Sequence, residues 1–154
     1  MVLVKKKSGY IRSCVDLRNL NKCSLKDNYP LPKMHHLFQK VVKENRISMM
    51  DRLFGYNQIA MHLEDKDTIY FITPWGTFMY HKIPFGLINN GATFQRAMDI
   101  SFVGERDRFI MIYLDNMIVY SQTDKYHLKH LRHTFIKYIR FGISLNPNKS
   151  FFAM

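Results

Sequence analysis

The chain has 154 residues, of which 47% are hydrophobic and 23% are charged, so it suits one folded domain or a piece of a larger one, and disordered, collagen-like and low-complexity chains are excluded. Lysine and arginine number 23 against 12 acidic residues, and the formal net charge is +11. That excess favours a polyanionic partner, with nucleic acid the first candidate and an anionic membrane surface the second.

The N-terminal part predicts a hairpin, a connector and a helix. Short β-favouring runs at residues 2–5 and 11–16 flank Gly9, which permits a tight turn. Residues 17–28 are mixed and polar, and two prolines hold residues 29–32 extended, so this stretch is predicted to be a connector. Apolar residues at spacings of three and four then predict one face of a helix: Met34, Leu37, Phe38, Val41 and Val42.

The middle of the chain predicts strands followed by a second helix. Residues 47–50 are an apolar run that ends at Asp51. Three later runs also have strand character: 58–63, 69–73 and 77–83. Beyond the breaker at residues 89–91, apolar spacing predicts a helix of about three turns that Gly104 ends: Ala92, Phe94, Ala97, Met98 and Phe102.

Two apolar runs in the last third predict a second hairpin. Residues 109–114 and 117–121 flank Asp115 and Asn116, which places this polar pair at the tip. The alternative interpretation of the same tract is an aggregation-prone β segment. Hairpins imply antiparallel pairing, and no steady β-α-β rhythm is present, so the predicted fold class is α+β.

A third helix is predicted after this hairpin. Thr123 or Asp124 can cap its start, and Gly142 ends it. Four apolar residues are predicted to face inward: Leu128, Leu131, Phe135 and Ile139. Three histidines lie among basic neighbours that would repel a cation, so a solvated face is predicted and not a metal site: His127, His130 and His133.

The surroundings in which the chain works can also be predicted. Cys14 and Cys23 are too few for a disulfide framework, and we find no N-terminal signal segment. We therefore expect an intracellular chain, cytoplasmic or nuclear, that is not secreted. The most apolar window is interrupted by Asp115 and Asn116, so no membrane span is expected. Both ends of the sequence lie in strand-like or apolar residues, which suggests a fragment.

Two aspartates stand out as candidates for chemistry. Asp51 ends a strand-like run and Asp115 lies at a hairpin tip with apolar flanks, where a buried acid is costly unless it is paired or binds metal. If their strands are neighbours, the carboxylates can converge on divalent cations, and two such ions can support in-line phosphoryl transfer. Spacing alone favours the alternative of solvated strand-end acids, because nine aspartates offer many accidental pairs.

Eight short motifs follow one another along the chain. In chain order they are VKKK at 4–7, CVDLR at 14–18, YPLP at 29–32, MD at 50–51, GYNQI at 55–59, PFGL at 84–87, ATFQ at 92–95 and YLDN at 113–116. These motifs, in this order, resemble those of the reverse transcriptases of gypsy-type long-terminal-repeat retrotransposons, and the resemblance covers essentially the whole chain.

The resemblance implies the fingers and palm of a right-hand polymerase, with an antiparallel palm sheet packed on helices and the thumb absent. Residues 1–24 and 59–89 would belong to the fingers, and residues 25–58 and 90–154 to the palm. The implied activity is that of an RNA-directed DNA polymerase, a nucleotidyltransferase whose partners are an RNA template, a DNA primer and deoxynucleoside triphosphates.

The resemblance also assigns residues to roles. Asp51 and Asp115 would be the catalytic carboxylates that hold two Mg²⁺ ions, with Mn²⁺ as a substitute. Tyr56 would lie under the incoming sugar and exclude a 2′-hydroxyl by shape. Lys6 and Arg12 would contact the triphosphate. A packed tyrosine and a solvated basic hairpin are the alternatives for these three residues.

Four further residues receive weaker assignments. Phe85 and Gly86 would line the nucleotide pocket, with the glycine allowing close approach of the backbone. Gln95 would face the template or primer. Lys149 resembles a lysine that could protonate the pyrophosphate leaving group, and its alternative is an exposed turn charge.

Asn116 is the main departure from the family, which has a second aspartate at this position. An asparagine keeps an oxygen donor but loses a negative charge beside the metals, so metal affinity is expected to fall. Two functions therefore remain open: a polymerase impaired by Asn116 and truncation, or an inactive remnant that only binds nucleic acid.

Overall fold

The computed structural model describes residues 2–5, 9, 11–52, 55–66 and 68–154. In these ranges the strands are β1 (Val2–Lys5), β2 (Ile11–Cys14), β3 (Arg46–Asp51), β4 (Tyr70–Thr73), β5 (Gly76–Met79), β6 (Ile110–Tyr113) and β7 (Asn116–Ser121). The helices are α1 (Arg18–Cys23), α2 (Met34–Val41), α3 (Leu63–Lys66), α4 (Asn90–Ser101) and α5 (Asp124–Arg140), with 3-10 helices at Gly55–Gln58 and Pro147–Lys149. All strand pairs in these ranges are antiparallel, and the predicted α+β class is confirmed.

A three-stranded sheet with the order β3-β7-β6 forms the centre of the fold. β6 and β7 are the predicted hairpin, and β7 also pairs with β3 along the full length of both strands. Residues 151–154 lie along the outer edge of β3, where Met49 and Phe151 exchange two backbone hydrogen bonds of 2.8 Å. The end of β3 is therefore held between neighbours on both sides.

Alternating side chains cover both faces of this sheet. Ile110 and Ile112 of β6 face one apolar layer, and Met111 between them faces the other. The larger layer joins the sheet to α4 and α5: Met50, Phe94, Met98, Phe102, Ile110, Ile112, Met117, Val119, Leu131 and Tyr138. The smaller layer joins it to α2: Leu37, Val41, Met111 and Tyr120. Packing on both faces fixes the strand ends that carry the candidate site.

Two smaller hairpins, β1-β2 and β4-β5, form sheets of their own. The segment after β5 is hydrogen-bonded to the segment between the first 3-10 helix and α3: Met61 N donates to His81 O at 3.0 Å and Ile83 N donates to Ile59 O at 3.0 Å. Among the helices in the described ranges, none combines the length and apolarity that a membrane crossing requires.

The observed helix ends agree with the predictions. Gly104 follows α4 with φ +90°, and Gly142 follows α5 with φ +64°, a region of backbone space that favours glycine. The hydroxyl of Thr123 accepts a hydrogen bond from Tyr126 N at 3.4 Å and caps the start of α5.

Two predicted segments have a different structure. The strand predicted at 58–63 is wrong, since this stretch leaves a 3-10 helix, makes one bridge between Ala60 and Lys82, and enters α3. The polar connector at 17–28 contains the short helix α1, and the first N–H of this helix, that of Arg18, donates to Asp16 Oδ1 at 3.0 Å.

The face that α5 turns toward the sheet also differs from the prediction. Leu128 and Ile139, predicted to point inward, are 69% and 81% exposed. The buried residues of this helix are His127, Leu131, Thr134 and Tyr138. His127 is drawn inward because its ring bonds the buried hydroxyls of Ser48 at 2.7 Å and Ser121 at 3.2 Å. The prediction of a solvated histidine face is therefore wrong for His127.

Candidate active site

Both candidate carboxylates lie at one end of the central sheet. Asp51 is the last residue of β3, and its register partner on β7 is Asn116. Asp115 occupies the turn that joins β6 to β7, directly before Asn116. The structure therefore brings together three residues that the sequence predicted as a catalytic group.

The Asp115 carboxylate sits in a recess that a glycine leaves open. Its Oδ1 is buried and has no hydrogen-bond partner. A Cβ atom added to Gly55 would lie 2.2 Å from this oxygen, so no side chain fits at position 55. Burial raises the pKa of Asp115, while the Arg52 guanidinium lowers it and the Asp51 carboxylate raises it. A buried acceptor without a partner costs free energy, and a bound cation would remove that cost.

The turn that carries Asp115 is hydrogen-bonded to two side chains, those of Gln95 and Arg52. Leu114 has φ +48°, an unfavourable conformation for a leucine. Its N–H donates to Gln95 Oε1 at 2.9 Å, and its carbonyl accepts from Arg52 Nη2. Arg52 Nε also donates to the Asp115 carbonyl at 3.2 Å. These bonds hold the turn, and with it the Asp115 side chain, in one position.

Gln95 acts inside the protein and not at its surface. Its side chain is fully buried, and besides Leu114 it bonds Asp99 Oδ1 at 3.0 Å and the Ile112 carbonyl at 3.4 Å. The predicted contact with template or primer does not suit this position, because none of the side chain is accessible. Gln95 instead positions the hairpin.

Arg52 is a buried charge next to the two aspartates. It is 3% exposed, its guanidinium carbon lies 4.5 Å from the centroid of the Phe94 ring, and its Nη1 has no hydrogen-bond partner. Burial lowers the pKa of Arg52, although a guanidinium remains charged in a protein at neutral pH. By sequence, residues 52–54 stand out only as bulk where relatives of the gypsy type commonly have a glycine or serine, and a buried charge at Arg52 was not predicted.

Tyr56 and Phe85 form an aromatic wall beside the carboxylates. The ring of Tyr56 meets the rings of Phe85 and Phe94 edge to face, with centroid distances of 5.7 Å and 5.4 Å. Burial raises the pKa of Tyr56, and the charge of Asp115 raises it further. Gly86 follows with φ +103°, and its carbonyl accepts from Asn21 Nδ2 at 2.7 Å. Of the residues predicted for the nucleotide pocket, Tyr56 is thus close to Asp115, Phe85 contacts Tyr56, and Gly86 follows Phe85 in the chain.

Lys149 belongs to a segment that is bonded to Asp51. Asn146 N donates to the Asp51 carbonyl at 2.9 Å, and Asp51 N donates to Ser150 Oγ at 3.3 Å. The exposed Lys149 lies between these two anchors on the 3-10 helix Pro147–Lys149, and its charge is one of those that lower the pKa of Asp115.

The two basic residues predicted to meet the triphosphate lie wholly or partly outside the described part of the chain. Lys6 lies outside the described residues. The backbone of Arg12 pairs with Val4 in the β1-β2 hairpin, and its side chain is outside the described part of the structure.

The residues of this site suit a hard divalent ion. Within the described ranges there is no group of three or more His, Cys, Asp and Glu side chains that could hold a metal. Two carboxylates and the side-chain oxygen of Asn116 nevertheless offer oxygen ligands, and Asp115 Oδ1 is a buried acceptor without a hydrogen-bond partner. Mg²⁺ commonly uses only a few protein ligands and completes its shell with water and substrate phosphates.

Comparisons with known proteins identify the family of the chain. The model of the family described as reverse transcriptase (RNA-dependent DNA polymerase) matches residues 4–154. The chain is 31% identical over 160 residues to the retrovirus-related Pol polyprotein from transposon 412 of Drosophila melanogaster, with 100% of this chain and 13% of that protein covered. It is 34% identical over 125 residues to an RNA-directed DNA polymerase homolog of Oenothera berteroana, with 79% of this chain and 88% of that protein covered.

The fold is also found among solved structures. A foamy viral protease-reverse transcriptase in complex with double-stranded DNA matches with a TM-score of 0.87 at 20% identity. The match covers 99% of this chain and 26% of the viral chain. At this identity the match supports the fold, and the chain corresponds to a minor part of the larger proteins it resembles.

Proposed function

Because the chain belongs to the reverse transcriptase (RNA-dependent DNA polymerase) family, we propose that its two-aspartate centre serves template-directed addition of a deoxynucleotide to a primer 3′-hydroxyl. The observation that carries this proposal is the meeting of Asp51 and Asp115 at one sheet end, with Asp115 Oδ1 buried and unpartnered. An acid in such a position is costly unless the site completes it with a cation.

Divalent ions fit the role of that cation. We propose two Mg²⁺ ions, replaceable by Mn²⁺, with Asp51 and Asp115 as the protein ligands. When bound, such ions activate the attacking hydroxyl and stabilise the leaving oxygen. The protein holds the ligands still: Gln95 and Arg52 fix the turn of Asp115, and the segment at residues 146–150 fixes Asp51.

The surroundings of the carboxylates suit a nucleotide. Tyr56 and Phe85 offer an aromatic wall that can restrict the sugar by shape, and Gly86 allows backbone approach. We propose Lys6 and Arg12 as contacts of the triphosphate. Lys149 lies close enough for its charge to influence Asp115, and we propose it as the proton donor to pyrophosphate.

Nucleic acid is the proposed macromolecular partner, specifically an RNA template with a DNA primer. The net charge of +11 suits a polyanion, and two of the matched foamy viral structures are complexes with double-stranded DNA and with an RNA/DNA hybrid. We infer that residues 1–24 and 59–89 form the fingers and residues 25–58 and 90–154 the palm. The two small hairpins β1-β2 and β4-β5 fall in the first pair of ranges and the central sheet in the second.

An inactive remnant that only binds nucleic acid is the second candidate. The observation that favours it is Asn116, which stands opposite Asp51 in the strand register and brings no charge to the centre. Fewer negative ligands bind a divalent ion less tightly.

Mg²⁺-dependent primer extension on an RNA template separates the two candidates. The chain itself, Asn116→Asp, and Asp115→Asn in the Asn116→Asp background are compared. Extension that appears with Asn116→Asp and vanishes with Asp115→Asn supports a polymerase silenced at one charge. Activity of the unchanged chain would exclude the inactive remnant, and absence of extension by all three proteins, with intact nucleic-acid binding, would favour it.

A further inference from the structure

Arg52 is a buried arginine in the candidate centre whose charge the proposed function does not use. The guanidinium donates to the carbonyls of Leu114 and Asp115 and lies over the Phe94 ring. These partners carry no net charge, and none of the ion pairs between described side chains includes Arg52. Its Nη1 has no partner at all. A full positive charge thus faces the centre without a carboxylate in direct contact.

We propose that the Arg52 guanidinium acts as a built-in cation of the centre and weakens the binding of divalent ions by Asp51 and Asp115. This inference rests on the proposed function, which assigns the two carboxylates to a metal. The centre has four side chains, Asp51, Asp115, Arg52 and Asn116. Asn116 is neutral, so their formal charges add to −1, and with a neutral residue at position 52 they would add to −2. Arg52 therefore opposes a divalent ion at the same centre where Asn116 already lacks a charge.

The position of Arg52 makes this opposition strong. At 3% exposure the guanidinium is poorly screened by water, so its field reaches neighbouring groups more fully than that of a surface charge. It also cannot swing away when a cation arrives, since two carbonyls hold its donors and the Phe94 ring lies 4.5 Å from its carbon. An exposed arginine would be screened by water and could move away from the arriving cation.

A test has to separate the charge of Arg52 from its hydrogen bonds to the turn. Arg52→Gln is neutral but keeps a side-chain donor, and Arg52→Met is neutral without one. Arg52→Lys keeps the charge but loses the fork of donors. Arg132→Gln on the exposed side of α5 is the matched control for the loss of one positive charge, and Asp115→Asn identifies the binding site.

Mn²⁺ is titrated into each variant of the full 154-residue chain, and the free ion is followed by its electron paramagnetic resonance signal. Arg52→Gln is expected to lower the Kd for Mn²⁺ by at least about tenfold, while Arg52→Lys and Arg132→Gln leave it within about threefold. Asp115→Asn should remove the tighter binding. Cooperative thermal unfolding of each variant is recorded in parallel.

Two results would overturn the inference. One is an Arg52→Gln chain that unfolds cooperatively and binds Mn²⁺ no more tightly than the parent. The other is loss of cooperative unfolding in both Arg52→Gln and Arg52→Met but not in Arg52→Lys, because the cation would then be needed for the fold. If primer extension fails, the Kd values for Mn²⁺ can still be compared between variants. If extension is normal and Arg52→Gln leaves the Kd unchanged, only the proposed role of Arg52 is contradicted.

Discussion

Gly55→Ala is the substitution that tests most directly how the structure places the Asp115 carboxylate. An alanine Cβ at this position would lie 2.2 Å from Asp115 Oδ1, 2.9 Å from its Cγ and 3.3 Å from its Oδ2. Real atoms do not approach so closely, so the carboxylate has to retreat. Reaching ordinary van der Waals contact at 3.4 Å requires a movement of Oδ1 by roughly 1.2 Å.

A shift of this size should cost little unfolding free energy but much of the catalytic rate. Overpacking of this kind costs about 1–3 kcal/mol of unfolding free energy. A misplacement of about 1 Å in a catalytic group can cost on the order of 100-fold in rate. In the Asn116→Asp background we therefore expect Gly55→Ala to reduce primer extension about 100-fold and to weaken Mn²⁺ binding, with cooperative unfolding retained.

Gly91→Ala is the matched control. An alanine Cβ there would meet only Leu114 Cδ2 at 3.4 Å, an ordinary contact, and Gly91 lies within α4. Gly91 is the second residue of α4, and an alanine there leaves the recess of Asp115 open, so this variant should unfold at about the parental temperature and extend primers normally in the Asn116→Asp background. Full extension and unchanged Mn²⁺ affinity in Gly55→Ala would refute the reasoning, because the carboxylate would then not need the recess.

Three further outcomes are expected. Gln95→Met leaves the Leu114 N–H without its acceptor, so it should lower the unfolding free energy by about 1–3 kcal/mol in urea and speed hydrogen exchange at that amide, whereas unchanged exchange would contradict the clamp. Burial lowers the pKa of His127 below its usual 6.5, so the stability that the neutral ring contributes is fully present above pH 6.5 and is lost as the pH falls below that value; urea unfolding should show this loss, and His127→Gln should reduce it. Thr123→Ala should lower the stability by about 0.5–1 kcal/mol in thermal unfolding, and no change would mean that the 3.4 Å cap bond contributes nothing.

The central sheet could be predicted from the sequence because two continuous apolar runs flank the polar pair Asp115 and Asn116, which is the pattern of a hairpin. The runs are apolar throughout because both faces of the sheet are covered: Ile110 and Ile112 face one layer and Met111 the other. The meeting of Asp51 with this turn could also be expected, since an acid that ends one strand and an acid at a hairpin tip share an edge when the strands are neighbours.

The inward face of α5 could not be predicted, because the sheet surface beneath it is partly polar. Ser48 and Ser121 are 0% and 4% exposed, and His127 satisfies both hydroxyls. Apolar spacing assumes an apolar partner and selected Leu128 instead. The same limit applies to Gln95, whose buried amide serves the turn. Hydrogen bonds between distant segments decide such positions, and they leave no periodic signal in the chain.

Asn116 and Arg52, the two residues that make the centre less negative, differ in how far they are built into the fold. Asn116 enters the sheet through its backbone, as register partner of both Asp51 and Tyr113, and its side chain is exposed. An aspartate can therefore replace it without disturbing the pairing. Arg52 is bonded to two carbonyls of the turn and buried against Phe94, so its charge cannot be removed without touching the clamp. Restoring position 116 alone consequently leaves a cation in the centre, and the largest gain in metal affinity requires both changes.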